Sequence, residues 1–130
     1  MLLRVLLVAA GLAVGVWALE RDDAVRACNA AGLASFGADS PDVAASIADR
    51  LEEECRGGVP LASGAAVLLN GGHPEQAARL ARESIRREPE NIAGWVAAGT
   101  VAMAAGDAEG LALARDRLRA LDPRNRVLGG

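Results

Sequence analysis

Two consecutive stretches of equal length decide the fold: residues 58–91, GVPLASGAAVLLNGGHPEQAARLARESIRREPEN, and residues 92–125, IAGWVAAGTVAMAAGDAEGLALARDRLRALDPRN. Three pairs of landmarks share the spacing between the two stretches: Leu61 and Trp95, Gly72 and Gly106, and Pro89 and Pro123. A repeat of this length is typical of a helical unit that must stack on its neighbours to bury its apolar side.

Each stretch predicts two helices separated by a glycine turn. Residues 59–69 form an apolar run that ends at Asn70-Gly71-Gly72, and Ile92 to Ala105 predicts the equivalent helix, with Asn91 as its cap. Pro74 suits the first turn of the next helix, and Gly106-Asp107 supplies turn and cap. Two apolar stripes follow at helical spacing: Ala77, Leu80, Ala81, Ser84 and Ile85, and then Leu111, Ala114, Leu118 and Leu121.

In these features the sequence resembles the tetratricopeptide repeat family. The third unit matches best, with Trp95 as the early aromatic, Gly99 as the small residue between helices, and Leu121-Asp122-Pro123 as the ending. The second unit departs from the family at Gly64 and Ala65, and it matches at Leu61, Leu68, Gly72, Ala77, Ala81 and Pro89. The resemblance implies an all-α fold of antiparallel helical hairpins stacked as a short solenoid.

A first unit over residues 24–57 is degenerate. Ala31-Gly32 stands near the small pair, Gly37-Ala38 near the turn, and Cys55 replaces the proline, while Ser40-Pro41-Asp42 predicts the start of a helix. We therefore divide the chain into residues 1–19, a first hairpin over 20–57, two clear repeats over 58–125 and a tail over 126–130. The resemblance also implies an incompletely covered last hairpin, at Leu111, Leu118 and Val127.

Residues 1–19 are apolar apart from Arg4, and Glu20-Arg21-Asp22-Asp23 follows at once. The uncharged run from Val5 to Leu19 rises about 22 Å as a helix, and Met1 to Leu3 extend it toward the roughly 30 Å of a bilayer core. We expect a transmembrane signal anchor with the body outside the cytoplasm. A cleaved signal peptide and a buried helix of a soluble protein are the alternatives.

The two cysteines fall at opposite ends of the first unit. Cys28 lies near the start of its first helix and Cys55 at the end of its second, and antiparallel packing brings these ends together. We expect a disulfide, which would contribute about 3 kcal/mol and agree with an oxidising compartment. Two unpaired, buried cysteines are the alternative. A metal site would need further ligands, and His73 is the only histidine.

Composition and motifs argue against catalysis and against nucleic-acid binding. The net charge is −3, and the basic residues are spread among acids without a basic stripe. His73 is interpreted as an exposed turn residue, and Glu52-Glu53-Glu54 as a solvated helix face. No serine stands in a nucleophile-elbow motif, and the glycine pair before Pro74 lacks the lysine of a phosphate loop. We expect no enzyme, cofactor, metal or small-molecule substrate.

In the family, the first helix of each hairpin lines a concave binding face. The corresponding positions in this chain are Ala62, Ala66, Leu69 and Asn70 in the second unit, and Val96, Thr100, Met103 and Ala104 in the third. Such an apolar, uncharged groove suits a helical protein partner. Burial of these positions against the chain's own N-terminal helix is the alternative.

The expected function is therefore a membrane-anchored scaffold. It would act as an accessory or assembly subunit of a bacterial membrane complex, attached to the membrane through residues 1–19. A periplasmic or secreted soluble adaptor, released by signal cleavage, is the alternative, and a thiol-redox protein is a third class.

Overall fold

A computed structural model describes the backbone of residues 2–124 and the side chains of residues 12–124. Over this range the fold is all-α, without a β-strand, which confirms the predicted class. The six helices are α1 (Leu2–Ala34), α2 (Pro41–Glu54), α3 (Gly58–Asn70), α4 (Pro74–Arg87), α5 (Ile92–Ala105) and α6 (Ala108–Leu121). A 3-10 turn, Ser35–Gly37, separates α1 from α2.

Helices α3 to α6 form two hairpins with the predicted period. The interval from the start of α3 at Gly58 to the start of α5 at Ile92 equals the interval from Pro74 of α4 to Ala108 of α6. The two turns contain Gly72 and Gly106 at φ of 84° and 70°, a left-handed conformation that glycine adopts without a Cβ clash. Helix α3 packs on α4 and α5, and α5 packs on α4 and α6, so each hairpin covers the next.

The predicted caps hold the helix ends. Asn91 Oδ1 accepts from the Ala93 amide at 2.9 Å, and Asp107 Oδ1 accepts from the Gly110 amide at 2.9 Å. Ser40 Oγ accepts from the Val43 amide at 3.4 Å, a longer bond at the start of α2. Each acceptor satisfies an amide that has no partner within its helix, and this fixes where the helix begins.

The centre of the core lies between α2, α3 and α4. Its largest fully buried apolar side chains are Leu51, Leu61, Leu68 and Leu80. Gly64 permits the close approach of these helices, because a Cβ atom there would stand 2.6 Å from Leu51 Cδ1. Burial of each leucine contributes roughly 1.5–3 kcal/mol.

The first hairpin departs slightly from the regular period. Helix α2 begins at Pro41 and ends at Glu54. Its first and last residues each lie one position later in the sequence than the regular repeat spacing, counted back from α4, would place them. Arg87 of α4 caps the C-terminus of α2, which lacks the proline of the later repeats. The Arg87 guanidinium donates to the Glu52 carbonyl at 2.7 Å and to the Cys55 carbonyl, so two carbonyls at the end of α2 have a cationic partner.

The structure gives no support to a transmembrane helix over residues 1–19. Helix α1 continues past Leu19 and through Glu20-Arg21-Asp22-Asp23 without interruption. These four residues are exposed to solvent, where charged side chains are compatible with a helix. Within residues 12–124, no helix is both long enough and apolar enough to cross a membrane. The side chains of residues 1–11 of the predicted segment lie outside the described residues.

The expectation of an uncovered last hairpin is wrong for Leu118, which is 4% exposed. Leu111 is half-buried, as expected, and Val127 lies outside the described residues. Leu118 shares one face of α6 with the buried Ala114, and α6 packs mainly against α5.

Candidate functional site

Helices α3 and α5 differ from the other helices of the body in carrying no charged residue. They contact each other directly and are the first helices of the two regular hairpins. Their partners α4 and α6 instead place arginine and acidic side chains on their outer faces. The hairpin stack therefore has one uncharged side and one charged side.

Most of the predicted groove residues lie on this uncharged side. Ala66, Asn70, Thr100, Met103 and Ala104 are exposed, and Leu69 and Val96 are half-buried. The Thr100 hydroxyl donates to the Val96 carbonyl at 2.8 Å, which leaves its methyl group as an apolar contact. Met103, at 53% exposure, is the largest apolar side chain among the exposed ones.

Ala62 is the exception and cannot line a groove. It is 4% exposed and belongs to the hydrophobic core. The assignment by family position is wrong here because α3 is the central helix, in contact with α1, α2, α4 and α5, so more of its circumference is buried than an edge helix would bury.

At one end the uncharged side borders a depression that the sequence did not predict. A cleft of about 790 Å³ lies at the N-terminal ends of α3 and α5, where Val59 and Ile92 line it together with the loop 88–91, including the acidic Glu88 and Glu90. Val59 lies on the same helical face as Ala66, seven residues later, and Ile92 on the same face as Val96 and Met103. The apolar first-turn residues Val59 and Ile92 are the sequence signal that could have indicated it.

Helix α4 forms ion pairs with α2 and also between its own residues. Arg79 donates to both carboxylate oxygens of Glu52 at 2.8 Å and to Asp49 at 2.5 Å, and these bonds raise the pKa of Arg79 above its usual range. Hydrogen bonds from Arg86 and then Arg87 lower the pKa of Glu83 from its usual 4.5 to about 2. Glu52 is therefore half-buried and paired, contrary to its interpretation as part of a solvated run.

His73 is another correction. It is 8% exposed, whereas the Gly-Gly-His-Pro turn predicted an exposed side chain. Its Nε2 lies 3.1 Å from the Ala38 carbonyl oxygen, and because a carbonyl can only accept, Nε2 carries the proton. His73 thereby fastens the loop after α1 to the turn between α3 and α4.

The predicted disulfide between Cys28 and Cys55 is present, with a Cα–Cα distance of 4.8 Å. It joins α1 to the C-terminal cap of α2. The loop that it closes spans 27 residues, for which the chain-entropy account gives roughly 3–4 kcal/mol.

Within residues 12–34, helix α1 packs against the core through small side chains. Ala31 is fully buried, Cys28 and Ala34 are partly buried against the core, and these three lie at helical spacing on one face. The large apolar residues nearby, Val25 and Leu33, point to solvent. A buried methyl group contributes only about 0.8 kcal/mol, so a few alanines contribute no more than the disulfide does.

A second cleft, of about 530 Å³, lies beside the disulfide. Helix α1 forms one wall with Trp17, Arg21, Val25 and Cys28, and the connection between α2 and α3 forms the other. Arg21 stacks over the Trp17 ring, 5.1 Å from its centroid. Within residues 12–124, no group of three or more metal-ligating side chains is placed to hold an ion.

Comparison with known proteins identifies no relative. No family model matches the chain, and neither the curated proteins nor the solved structures contain a significant match.

Proposed function

We propose that this chain is a non-catalytic helical-repeat scaffold that docks a protein partner on the uncharged side of α3 and α5. One observation carries the proposal: two neighbouring helices without a charged residue expose a contiguous set of small and apolar side chains, while α4 and α6 carry the charges. An isolated exposed apolar residue needs no explanation, but a surface that excludes charge over two helices is typical of a docking site.

The partner that suits this face is an amphipathic helix. Ala66, Asn70 and Thr100 are short, so they leave room for the side chains of an approaching helix, and Met103 adapts to varied apolar shapes. The depression that Val59 and Ile92 line together with Glu88 and Glu90 would hold the end of that helix. The resemblance to tetratricopeptide repeats supports the same mode of recognition.

The disulfide supports a location outside the cytoplasm, since oxidised cysteines persist in oxidising compartments.

Two forms of the proposal differ in the fate of residues 1–19. In the first these residues remain as a signal anchor, and the chain serves as an accessory or assembly subunit of a bacterial membrane complex. In the second they are cleaved, and the chain is a periplasmic or secreted adaptor. The intact mass of the mature protein, with or without these residues, decides between them.

Site-specific photo-crosslinking in the native cells tests the docking face. A photoreactive phenylalanine analogue placed at Ala66, Asn70, Thr100 or Met103 should form a discrete adduct with one partner. The same analogue at the exposed Arg82, Glu109 and Asp116 of α4 and α6 should not. Adducts that form equally on both sides, or only on the charged side, would contradict the proposal.

A matched pair of charge substitutions gives the quantitative test. Met103 and Leu113 are 53% and 55% exposed, so M103E and L113E should cost the fold similar, small amounts of stability. M103E should weaken partner binding at least tenfold, because it introduces a charge into the uncharged face, and L113E should leave it unchanged. Equal effects of the two substitutions would argue against a specific site at α5.

A further inference from the structure

Two observations single out the Cys28–Cys55 disulfide. First, among residues 12–34 the side chains of α1 that pack against the core are those of Ala31, Ala34 and Cys28, and none of these is a large apolar residue. Second, the opposite end of the bond is fixed independently, because Cys55 caps α2 and its carbonyl accepts from Arg87. The bond thus joins a weakly packed helix to a firmly held one.

Helix α2 is also held to the body by contacts other than the disulfide. Leu51 is fully buried in the core, and Arg79 and Arg87 of α4 bind side-chain and main-chain oxygens of α2. Among residues 12–34, α1 makes no ion pair to another helix, since Arg26 pairs with Asp22 and Asp23 of α1 itself. After loss of the bond, α2 would still contact α3 and α4, whereas the described part of α1 would keep only its small-residue contacts with α2 and α3.

The two sulfur atoms differ in access. Cys55 is 1% exposed, whereas Cys28 is half-buried and lines the 530 Å³ cleft between α1 and the connection from α2 to α3. We therefore expect a thiolate that enters this cleft to approach the disulfide from the Cys28 side. Because thiol–disulfide exchange requires attack on one sulfur with departure of the other, Cys28 is the site of attack and Cys55 is the leaving group.

We propose that the Cys28–Cys55 disulfide is a redox latch for α1, opened and closed by a dithiol–disulfide exchange partner that acts on Cys28 through this cleft. On opening, the partner's thiolate forms a bond to Cys28 Sγ, and the Cys28–Cys55 bond breaks with Cys55 leaving as a thiolate that takes up a proton. The partner's second thiol then displaces Cys28. The chain gains two electrons and two protons, and the partner becomes a disulfide. Closing is the reverse, with a disulfide partner as the oxidant.

The latch controls where the apolar segment at the start of α1 is held. In the oxidised protein, Trp17 and Val25 of α1 form one wall of the cleft, and the opposite wall includes Pro60 of α3. In the reduced protein, α1 would move away from this opposite wall and the repeat body would persist. The proposal is independent of the docking face on α3 and α5, which lies on other helices.

Hydrogen exchange of the full chain, followed by mass spectrometry, tests the latch. Reduction with a phosphine should speed exchange of residues 24–34 at least tenfold and change exchange over residues 58–121 less than twofold. The variant carrying both C28S and C55S should show the same pattern without reductant, and reductant should then change nothing. Equal protection of α1 in both states, or loss of protection throughout the chain, would overturn the proposal.

The direction of attack has its own test. Oxidised protein is exposed briefly to a limiting amount of glutathione, alkylated and digested. The mixed disulfide should be found on Cys28 and the alkyl group on Cys55. Glutathione found mainly on Cys55 would overturn the assignment of Cys28 as the site of attack.

Discussion

Helices α1 and α4 both pack against α2 and α3, yet they do so with opposite kinds of side chain. Helix α4 buries Leu80 completely and adds Arg79 and Arg87, which bind oxygens of α2. Among residues 12–34, helix α1 buries only small residues, and Cys28 joins it to α2 through the disulfide. Large buried side chains and polar contacts thus hold α4, whereas small-residue contacts and a covalent cross-link join α1 to the body.

The difference follows from the order of the repeats. Helices α3 to α6 repeat one pattern in which each apolar face has a matching neighbour, so packing alone can hold them. The first hairpin lacks the stopping proline and has an alanine-rich first helix, and its packing energy is correspondingly small. The Cys28–Cys55 disulfide and Arg87 of the next repeat stabilise this first hairpin, where the repeat pattern is degenerate.

Shortening Leu80 should have the largest effect on the free energy of unfolding, because this side chain is fully buried in the core. Leu80→Ala leaves a cavity among α2, α3 and α4 and should lower the free energy of unfolding by about 2–5 kcal/mol. Urea denaturation followed by circular dichroism measures it. The exposed Leu113 provides the control, and L113A should cost less than about 0.5 kcal/mol. If L80A and L113A lowered the free energy of unfolding by similar amounts, burial of Leu80 would not be what stabilises the body.

Adding one methyl group at Gly58 should come next. A Cβ atom there would stand 2.9 Å from the Ser84 carbonyl oxygen, and that backbone atom cannot move aside cheaply. Gly58→Ala should therefore destabilise the protein by about 1–3 kcal/mol. The neighbouring Gly57→Ala meets its closest atom at 3.3 Å, on the flexible side chain of Glu88. If G57A proved as costly as G58A in thermal unfolding, the close approach of α3 and α4 would not be the cause.

Removing the guanidinium of Arg87 tests how α2 is held at its C-terminus. Arg87→Met keeps the apolar stem but leaves the Glu52 and Cys55 carbonyls without their cationic partner, at a cost of about 1–2 kcal/mol. Hydrogen exchange should rise in the last turn of α2 and remain unchanged in α5 and α6. R86M is the control, because the Arg86 guanidinium donates to Glu83 of its own helix. An equal effect of R86M would remove the capping role from Arg87.

The smallest effect is the pH dependence that arises from Glu83. Its pKa is lowered from 4.5 to about 2 in the folded protein, so its ion pairs stabilise the fold above pH 4.5. That contribution is lost as the pH falls toward 2. The effect should be small, since the Arg86 side chain is largely exposed and screened by solvent. Glu83→Gln should reduce the slope of stability against pH in this range, and an unchanged slope would exclude Glu83 as its source.

Most of the repeat body could be predicted from sequence because its signals are local. Gly72, Gly106, Pro74 and Asn91 mark turns and helix starts through their own backbone preferences, and the structure places helix ends there. The disulfide could be predicted as well, since it needed only the antiparallel packing of the first hairpin.

The errors concern contacts between residues far apart in sequence. His73 is buried because the Ala38 carbonyl, 35 residues earlier, lies against it, and nothing in Gly-Gly-His-Pro indicates that contact. Ala62 is buried because α3 has neighbours on several sides, which its own sequence does not reveal.

The most direct test of the account asks whether the repeat body keeps its fold when the disulfide is reduced. In a Trp17→Phe background, Trp95 reports on the body, since its ring donates to the Pro89 carbonyl at 2.7 Å and lies under Arg117. Urea denaturation followed by Trp95 fluorescence should give a cooperative, sigmoidal transition in the oxidised protein and again in the reduced protein. A reduced protein whose Trp95 signal is already that of the unfolded chain without urea would contradict the claim that packing holds α3 to α6.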